Sequence, residues 1–239
     1  MKLLFGADLG PTKTNFDTFA AGDAKALLGE ELLQLFSEAD LRCLDLEVPL
    51  TDGDTPIQKH GPKLRAPENT VAGIKAMGVN LLTLANNHIL DQGRTGLENT
   101  LSALDAAGIP HFGTGLYPDC AAPYIFEKDG KRVFYGLDGG WMNVSEWRYI
   151  FKNEIVFDAV ILDSTFMSQD PVNYRGMGEH NNVLTLPILV DGFRQVGAAT
   201  EETRIIADHI GGHMDNETVL SFLRGLGMIP AYDGFEIEI

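Results

Sequence analysis

The chain has 239 residues, 44% hydrophobic and 22% charged, the composition of a folded protein of one large or two small domains. Its 34 acidic against 18 basic residues give a net charge of −16, with no run of Lys or Arg longer than two, which excludes free DNA or RNA as a partner. The acidic excess reads mainly as solvated surface, with room for carboxylates gathered around metal ions. Two cysteines, Cys43 and Cys120, make neither a disulfide framework nor a zinc knuckle, and Cys43 reads as a small buried hydrophobe. The apolar start Leu3-Leu4-Phe5 is too short for a signal peptide, and no apolar stretch is long enough to span a membrane. The expected location is cytoplasmic, and the oligomeric state stays open.

Strand-length apolar runs alternate with helical patterns. Lys2–Asp8 reads as a strand. Asp23–Ser37 reads as a helix with a stripe of Ala26, Leu27, Leu32, Leu33, Leu35 and Phe36. Asp40–Leu46 is a second strand, and residues 51–65 are a loop rich in Gly, Pro, Thr and Asp. Pro67–Met77 is a short helix stopped by Gly78, and Val79–Ala85 a third strand. Thr95 and Glu98 suggest a capping box opening a helix that ends near Ala107 and Gly108. A seam near residues 114–122 then gives way to a hairpin, Pro123–Glu127 with Lys131–Leu137, around Lys128-Asp129-Gly130. Val144–Phe151 is helical and Phe157–Leu162 a buried strand. His180–Val196 is a helix that Pro187 must kink or delay. Thr203–Ala207 is a strand and Glu217–Gly225 a helix, before a closing hairpin of Met228–Tyr232 with Phe235–Ile239.

Polar groups cluster after the strands: Asp8, then Asp45 and Glu47, then Asn86-Asn87-His88 with Asp91, then Asp138, Asp163 and Asp208-His209. Ligands of open α/β sheets bind beyond the carboxyl ends of the strands, so six such ends delivered to one edge predict a site. Carboxylates with imidazoles suit zinc, manganese or iron, and one or two such ions activate water for hydrolysis. Each Asp is singly also a turn former or helix cap. His60 and His111 read as structural or exposed, His209 as a ligand, and His213 as either. His180 reads as a proton donor or a cap.

Two resemblances add to this. Residues 1–115 resemble the CapA family of capsule and poly-γ-glutamate synthesis. The carrying pieces are Phe5-Gly6-Ala7-Asp8, Leu44-Asp45-Leu46-Glu47 and above all Leu84-Ala85-Asn86-Asn87-His88-Ile89-Leu90-Asp91. That family is similar to calcineurin-like metallophosphoesterases, which implies Asp8, Glu47, Asn87 and His88 near metal or substrate. Residues 116–239 form the other half, and from residue 122 on they resemble the C-terminal half of metallo-β-lactamase-fold hydrolases. Gly136-Leu137-Asp138-Gly139, Ile161-Leu162-Asp163-Ser164-Thr165, Glu179-His180-Asn181 and Asp208-His209-Ile210-Gly211 carry this likeness. It implies Asp138 as a metal-bridging residue, His209 as a metal ligand and His180 near the substrate.

Together these imply an α/β fold, a four-layer α/β/β/α sandwich made as a hybrid of two half-domains packed as one unit. The expected function is metal-dependent hydrolysis of a phosphoester or related bond in a small-molecule or polymer substrate, by water activated on one or two divalent ions. Asp8, Glu47, His88, Asp138 and His209 would be metal ligands, and His180, His88 and Asn87 catalytic residues. Each half lacks the histidine motif that would complete its own family's site. Two alternatives therefore stand: a non-catalytic hybrid or binding protein, and a capsule or poly-γ-glutamate biosynthesis factor.

Overall fold

The computed structural model describes residues 2–114, 127–137, 140–167, 180–211 and 216–239. The chain divides into two compact units, Met1–Tyr124 and Ile125–Ile239, each with its own sheet. The expected α/β class holds. The strands divide between two sheets, one in each unit.

Unit 1 is a parallel sheet in chain order: β1 (Leu3–Leu9), β2 (Leu41–Leu46), β3 (Leu81–Thr83) and β4 (His111–Phe112). Parallel neighbours need crossovers, here mostly helical. These are α1 (Phe16–Ala21) and α2 (Ala24–Glu38), then a 3-10 turn at Glu68–Thr70 with α3 (Val71–Ala76), then α4 (Gly93–Ala107). Leu44, Leu46, Ile74, Leu82, Leu84, Leu97 and Leu104 fill the core between them. Each such side chain contributes about 1.5–3 kcal/mol when fully buried.

Two expectations change here. Asp23 caps α2 through Ala26 N–H (3.0 Å), but Gly29 at φ +76 breaks the helix. The apolar stripe is therefore interrupted: of α2 only Phe36 is buried, and Leu32 is exposed. The helix after β3 opens at Gly93, before the expected Thr95–Glu98 box. Gly93 takes φ +63 and its N–H bonds Leu90 O (2.8 Å), so the chain enters the helix early. Glu98 instead accepts from Arg94 one turn back (2.7 Å).

Helix α3 lies hard against α1. A Cβ on Gly73 would stand 2.6 Å from Phe19 Cα and 2.8 Å from Phe19 O, both backbone. Gly73→Ala is therefore expected to destabilise unit 1 by about 1–3 kcal/mol through overpacking, outweighing the ~1 kcal/mol gain in helix propensity. A urea midpoint equal to or above that of the parent chain would show that α1 yields instead.

Unit 2 begins with the antiparallel pair β5 (Glu127–Lys128) and β6 (Lys131–Gly136), turning at Asp129 (φ 58) and Gly130 (φ 74) as a two-residue hairpin requires. The expected residues 123–126 of this hairpin lie outside those described. β7 (Ala159–Asp163), β8 (Arg204–Asp208) and β9 (Ile229–Pro230) follow, parallel and in order. Helices α5 (Val144–Lys152), α6 (Thr185–Gln195) and α7 (Asn216–Gly225) connect them. Asn143 and Glu146 cap α5 reciprocally. Pro187 delays α6 rather than kinking it: the helix starts two residues earlier, where a missing N–H costs nothing. The closing hairpin is absent. β9 is two residues long and pairs only with β8, Phe235 N–H closes a turn on Tyr232 O (2.8 Å), and residues 235–239 form no strand. Among the described residues no helix is long and apolar enough to cross a membrane.

Candidate functional site

At the carboxyl edge of the unit 1 sheet, Asp8 on β1 stands in register with Asp45 on β2; Asp8 is exposed and Asp45 buried. Asn86, just past β3, reaches back across this edge. Its Nδ2 donates to Asp45 Oδ1 (3.1 Å) and Leu46 O (2.8 Å). Its Oδ1 accepts from the N–H groups of His88 (3.0 Å) and Ile89 (2.9 Å), an Asx turn that folds the next residues over β2. His88 is thereby set with Nδ1 2.7 Å from Asp91 Oδ2 and Nε2 3.8 Å from Glu47 Oε1. Asn87 Oδ1 is buried with no hydrogen-bond partner among the described residues.

Asp91 organises the rest. Its wholly buried carboxylate accepts from Lys59 Nζ (2.5 Å), from Leu64 N–H (2.6 Å) and from His88. Burial works to raise its pKa, but the bonds from His88, Lys59 and Leu64 outweigh it and hold the carboxyl below its usual value. Nδ1 of His88 faces Asp91 and, at 3.2 Å, Lys59 Nζ; in the tautomer with the proton on Nδ1, Asp91 accepts that hydrogen bond and Nε2 faces Glu47. Cys43 is no nucleophile: burial first, then the Asp45 charge, pushes its thiol up to about 12.

Unit 2 gathers a second group at the ends of β7 and β8. Asp163 is fully buried, and its Oδ2 lies 2.7 Å from His180 Nδ1. Its Oδ1 accepts from Thr165 N–H (2.8 Å) and from the Thr165 hydroxyl, and lies 3.8 Å from His209 Nδ1. Thr165 Oγ1 also sits 2.9 Å from His209 Nδ1. Burial works to raise the Asp163 pKa; the bonds from His180, His209 and Thr165 bring it below the ordinary value. Each of Asp163, His180 and His209 offers one metal-ligand atom within 4.8 Å of the others, and among the described residues no other trio of His, Cys, Asp or Glu does so.

Glu47, Asn87 and His88 thus meet at one edge, with Asp8 on the adjoining strand; His180 and His209 meet at another, ring centroids 5.7 Å apart. Asp138 and His213 lie outside the described residues. His60 is exposed, and His111 lies in β4 with Nδ1 3.1 Å from Ile109 O. Asp91 and Asp163 stand in the strand-end pattern but not among the expected metal ligands and catalytic residues, and neither Lys59 nor Thr165 is among those either. Asp163 carried a signal, a carboxylate closing the wholly apolar run Ala159-Val160-Ile161-Leu162. Lys59, one cation in a loop, carried none.

Residues 10–138, more than half of the chain, match the family described as bacterial capsule synthesis protein PGA_cap. The chain belongs to this family. The matched stretch of the capsule synthesis family holds Glu47, Lys59, Asn87, His88 and Asp91, and ends before Asp163. An uncharacterized protein of Sinorhizobium fredii is 32% identical over 124 residues, 44% of this chain and 27% of its own length. A probable polyglutamine synthesis accessory protein of Mycobacterium tuberculosis is 40% identical over 89 residues, 36% of this chain and 23% of its own length. The capsule biosynthesis protein CapA of Bacillus anthracis is 40% identical over 52 residues, 22% of this chain and 13% of its own length. The chain therefore spans about a quarter or less of these relatives.

Proposed function

We propose that this protein serves the synthesis of a capsule or poly-γ-glutamate type of surface polymer, and that the His88 assembly is its working part. The observation that carries this is the family match over residues 10–138, which takes in the whole of that assembly. Two relatives named for capsule biosynthesis and polyglutamine synthesis support it. Deleting the gene in its host should lower cell-bound polymer, with restoration by the parent chain but not by His88→Ala. Unchanged polymer in the deletion strain would remove this reading.

A second reading, metal-assisted hydrolysis of a phosphoester, is favoured by one distance. The 3.8 Å between His88 Nε2 and Glu47 Oε1 suits two bonds of about 2.0–2.2 Å to a shared zinc, manganese or iron ion. His88 and Glu47 would hold the ion, with Asp8 and Asp45 adding negative charge at the same edge. Such an ion, when bound, supplies Lewis-acid activation of water and of a phosphoryl oxygen. Asp91 would fix the His88 tautomer and ring orientation, as carboxylates behind metal-bound histidines do. With bis(p-nitrophenyl) phosphate and added manganese or zinc, His88→Ala should lose at least about 100-fold in kcat/KM. A parent chain that does not turn over this probe with either metal would leave the polymer role without this chemistry. The likeness of residues 122–239 to metallo-β-lactamase-fold hydrolases is proposed likewise, supported by His209 at the end of a parallel strand beside a second histidine.

A further inference from the structure

We propose that Lys59 is a positioning residue of the His88 assembly: its ammonium, brought in by the loop between β2 and α3, holds the Asp91 carboxylate in the rotation that seats the His88 ring. That His88 is a working residue rests on the function proposed above. The seating of its ring does not.

Three observations carry it. The first is the inward turn of a single side chain. Between Asp54 and Lys63 every residue of the loop is exposed except Lys59, whose side chain is 22% exposed. A lysine ordinarily keeps its ammonium in water, so drawing it inward costs both hydration and rotamer freedom. The bonds at its tip offset that cost. Nζ donates to Asp91 Oδ1 (2.5 Å) and to Asn87 O (3.2 Å), which flank His88 in the chain.

The second is the division of the carboxylate. Oδ1 takes Lys59, while Oδ2 takes His88 Nδ1 (2.7 Å) and Leu64 N–H (2.6 Å). Asp91 is wholly buried, so removing the ammonium deprives Oδ1 of a charge-assisted bond in a place where water does not replace it. The carboxylate then turns toward another donor, and Oδ2 leaves the ring.

The third is the side from which Lys59 comes. It meets the ring at Nδ1 (3.2 Å), whereas Nε2 points to Glu47 (3.8 Å). Lys59 therefore stands behind His88 and acts through Asp91 and the Asn87 carbonyl, not on a substrate. An ammonium that reaches both an ionised carboxylate and a carbonyl directs its protons to them, which leaves Oδ2 to accept from His88. Such a clamp requires the tautomer with the proton on Nδ1, and it fixes the ring as partners behind a working histidine do.

The test uses the full chain without added metal, labelled with nitrogen-15 at histidine. Ring nitrogen shifts of the parent chain should place the His88 proton on Nδ1. A neutral ring protonated on Nε2 overturns the proposal, and this measurement needs no variant to fold. Lys59→Met keeps most of the stem and removes the ammonium. In it the Nδ1 proton should exchange with water at least about tenfold faster. The N–H groups of Thr55 and Ile57, bonded to Gln92 Oε1 and Asp91 O, should stay as protected as in the parent chain. Lys59→Arg should recover most of the lost protection. An unmoved His88 proton overturns the proposal. So does an equal loss at Thr55, Ile57 and His88, which would make Lys59 a fastener of the loop alone. In the host, Lys59→Arg should restore polymer to the deletion strain and Lys59→Met should not; full restoration by Lys59→Met overturns the role. A deletion strain with unchanged polymer removes the function proposed above, and the ring measurements then decide the clamp by themselves.

Discussion

Replacing Asp91 with alanine is expected to remove about 3 kcal/mol from the stability of unit 1, the low end of what breaking a buried ion pair costs. The side chain is 0% exposed and takes three donors: Lys59 Nζ, Leu64 N–H and the His88 ring. Alanine leaves all three pointing at a cavity. Lys59 is 22% exposed and turns partly to water, which keeps the cost from rising higher. Asp91→Asn keeps the shape and one acceptor oxygen but loses the charge, and should cost about 1–3 kcal/mol. The damage is local in a recognisable way. Ile57 N–H bonds Asp91 O (2.9 Å), Thr55 N–H bonds Gln92 Oε1 (2.9 Å), and Gln92 Nε2 bonds Leu64 O (3.2 Å). The loop between β2 and α3 is therefore fastened at its middle by two adjacent residues. With Asp91 gone, trypsin should cut faster at Lys59, Lys63 and Arg65, and the urea transition of unit 1 should fall. A loss under about 1 kcal/mol with unchanged cleavage would mean that Lys59 and Leu64 find other partners.

The same fastening marks where sequence reasoning reaches its limit. The Asn86–Asp91 run announces a site because polar residues follow an apolar strand, a local pattern. That Asn86 bridges to Asp45, 41 residues earlier, follows only from the β2–β3 register. Lys59 lies in a Pro- and Gly-containing loop with no period, so nothing local fixes where its ammonium goes. Parallel strands were legible because their hydrophobic runs are buried on both faces, as the β7 residues Ala159–Asp163 are. The α4 start was misread because a capping-box spacing within a helix is indistinguishable from one at its start until the turn at Leu90–Gly93 is known. The final hairpin was misread for a related reason. Asp233-Gly234 is turn chemistry, but a turn makes a hairpin only when the residues beyond it have a ladder to join.

Phe193→Ala should be the most damaging single change in unit 2, at about 3–5 kcal/mol. Phe193 is 0% exposed at the centre of an aromatic group, its ring centroid 5.0 Å from Phe134, 5.1 Å from Trp147 and 6.2 Å from Phe157. It ties α6 to β6, to α5 and to the residues leading into β7. The site cannot easily collapse, because Trp147 already covers Gly192, where an added Cβ would lie 2.9 Å from its ring. Against a typical domain stability of about 5–15 kcal/mol, this is enough to lower the melting temperature of unit 2 by roughly 10 °C or more. The transition of unit 1 should stay put, since its core shares no residue with this group. A shift of only a few degrees would show that the neighbouring rings close the cavity. The consequence for the Asp163 cluster should precede unfolding. Asn182 Oδ1 caps α6 through the N–H groups of Leu184 (2.8 Å) and Thr185 (3.1 Å), and His180 stands just before that cap. Loosening α6 frees the cap first, so His180 should leave Asp163 at temperatures where the strands of unit 2 are still protected from hydrogen exchange.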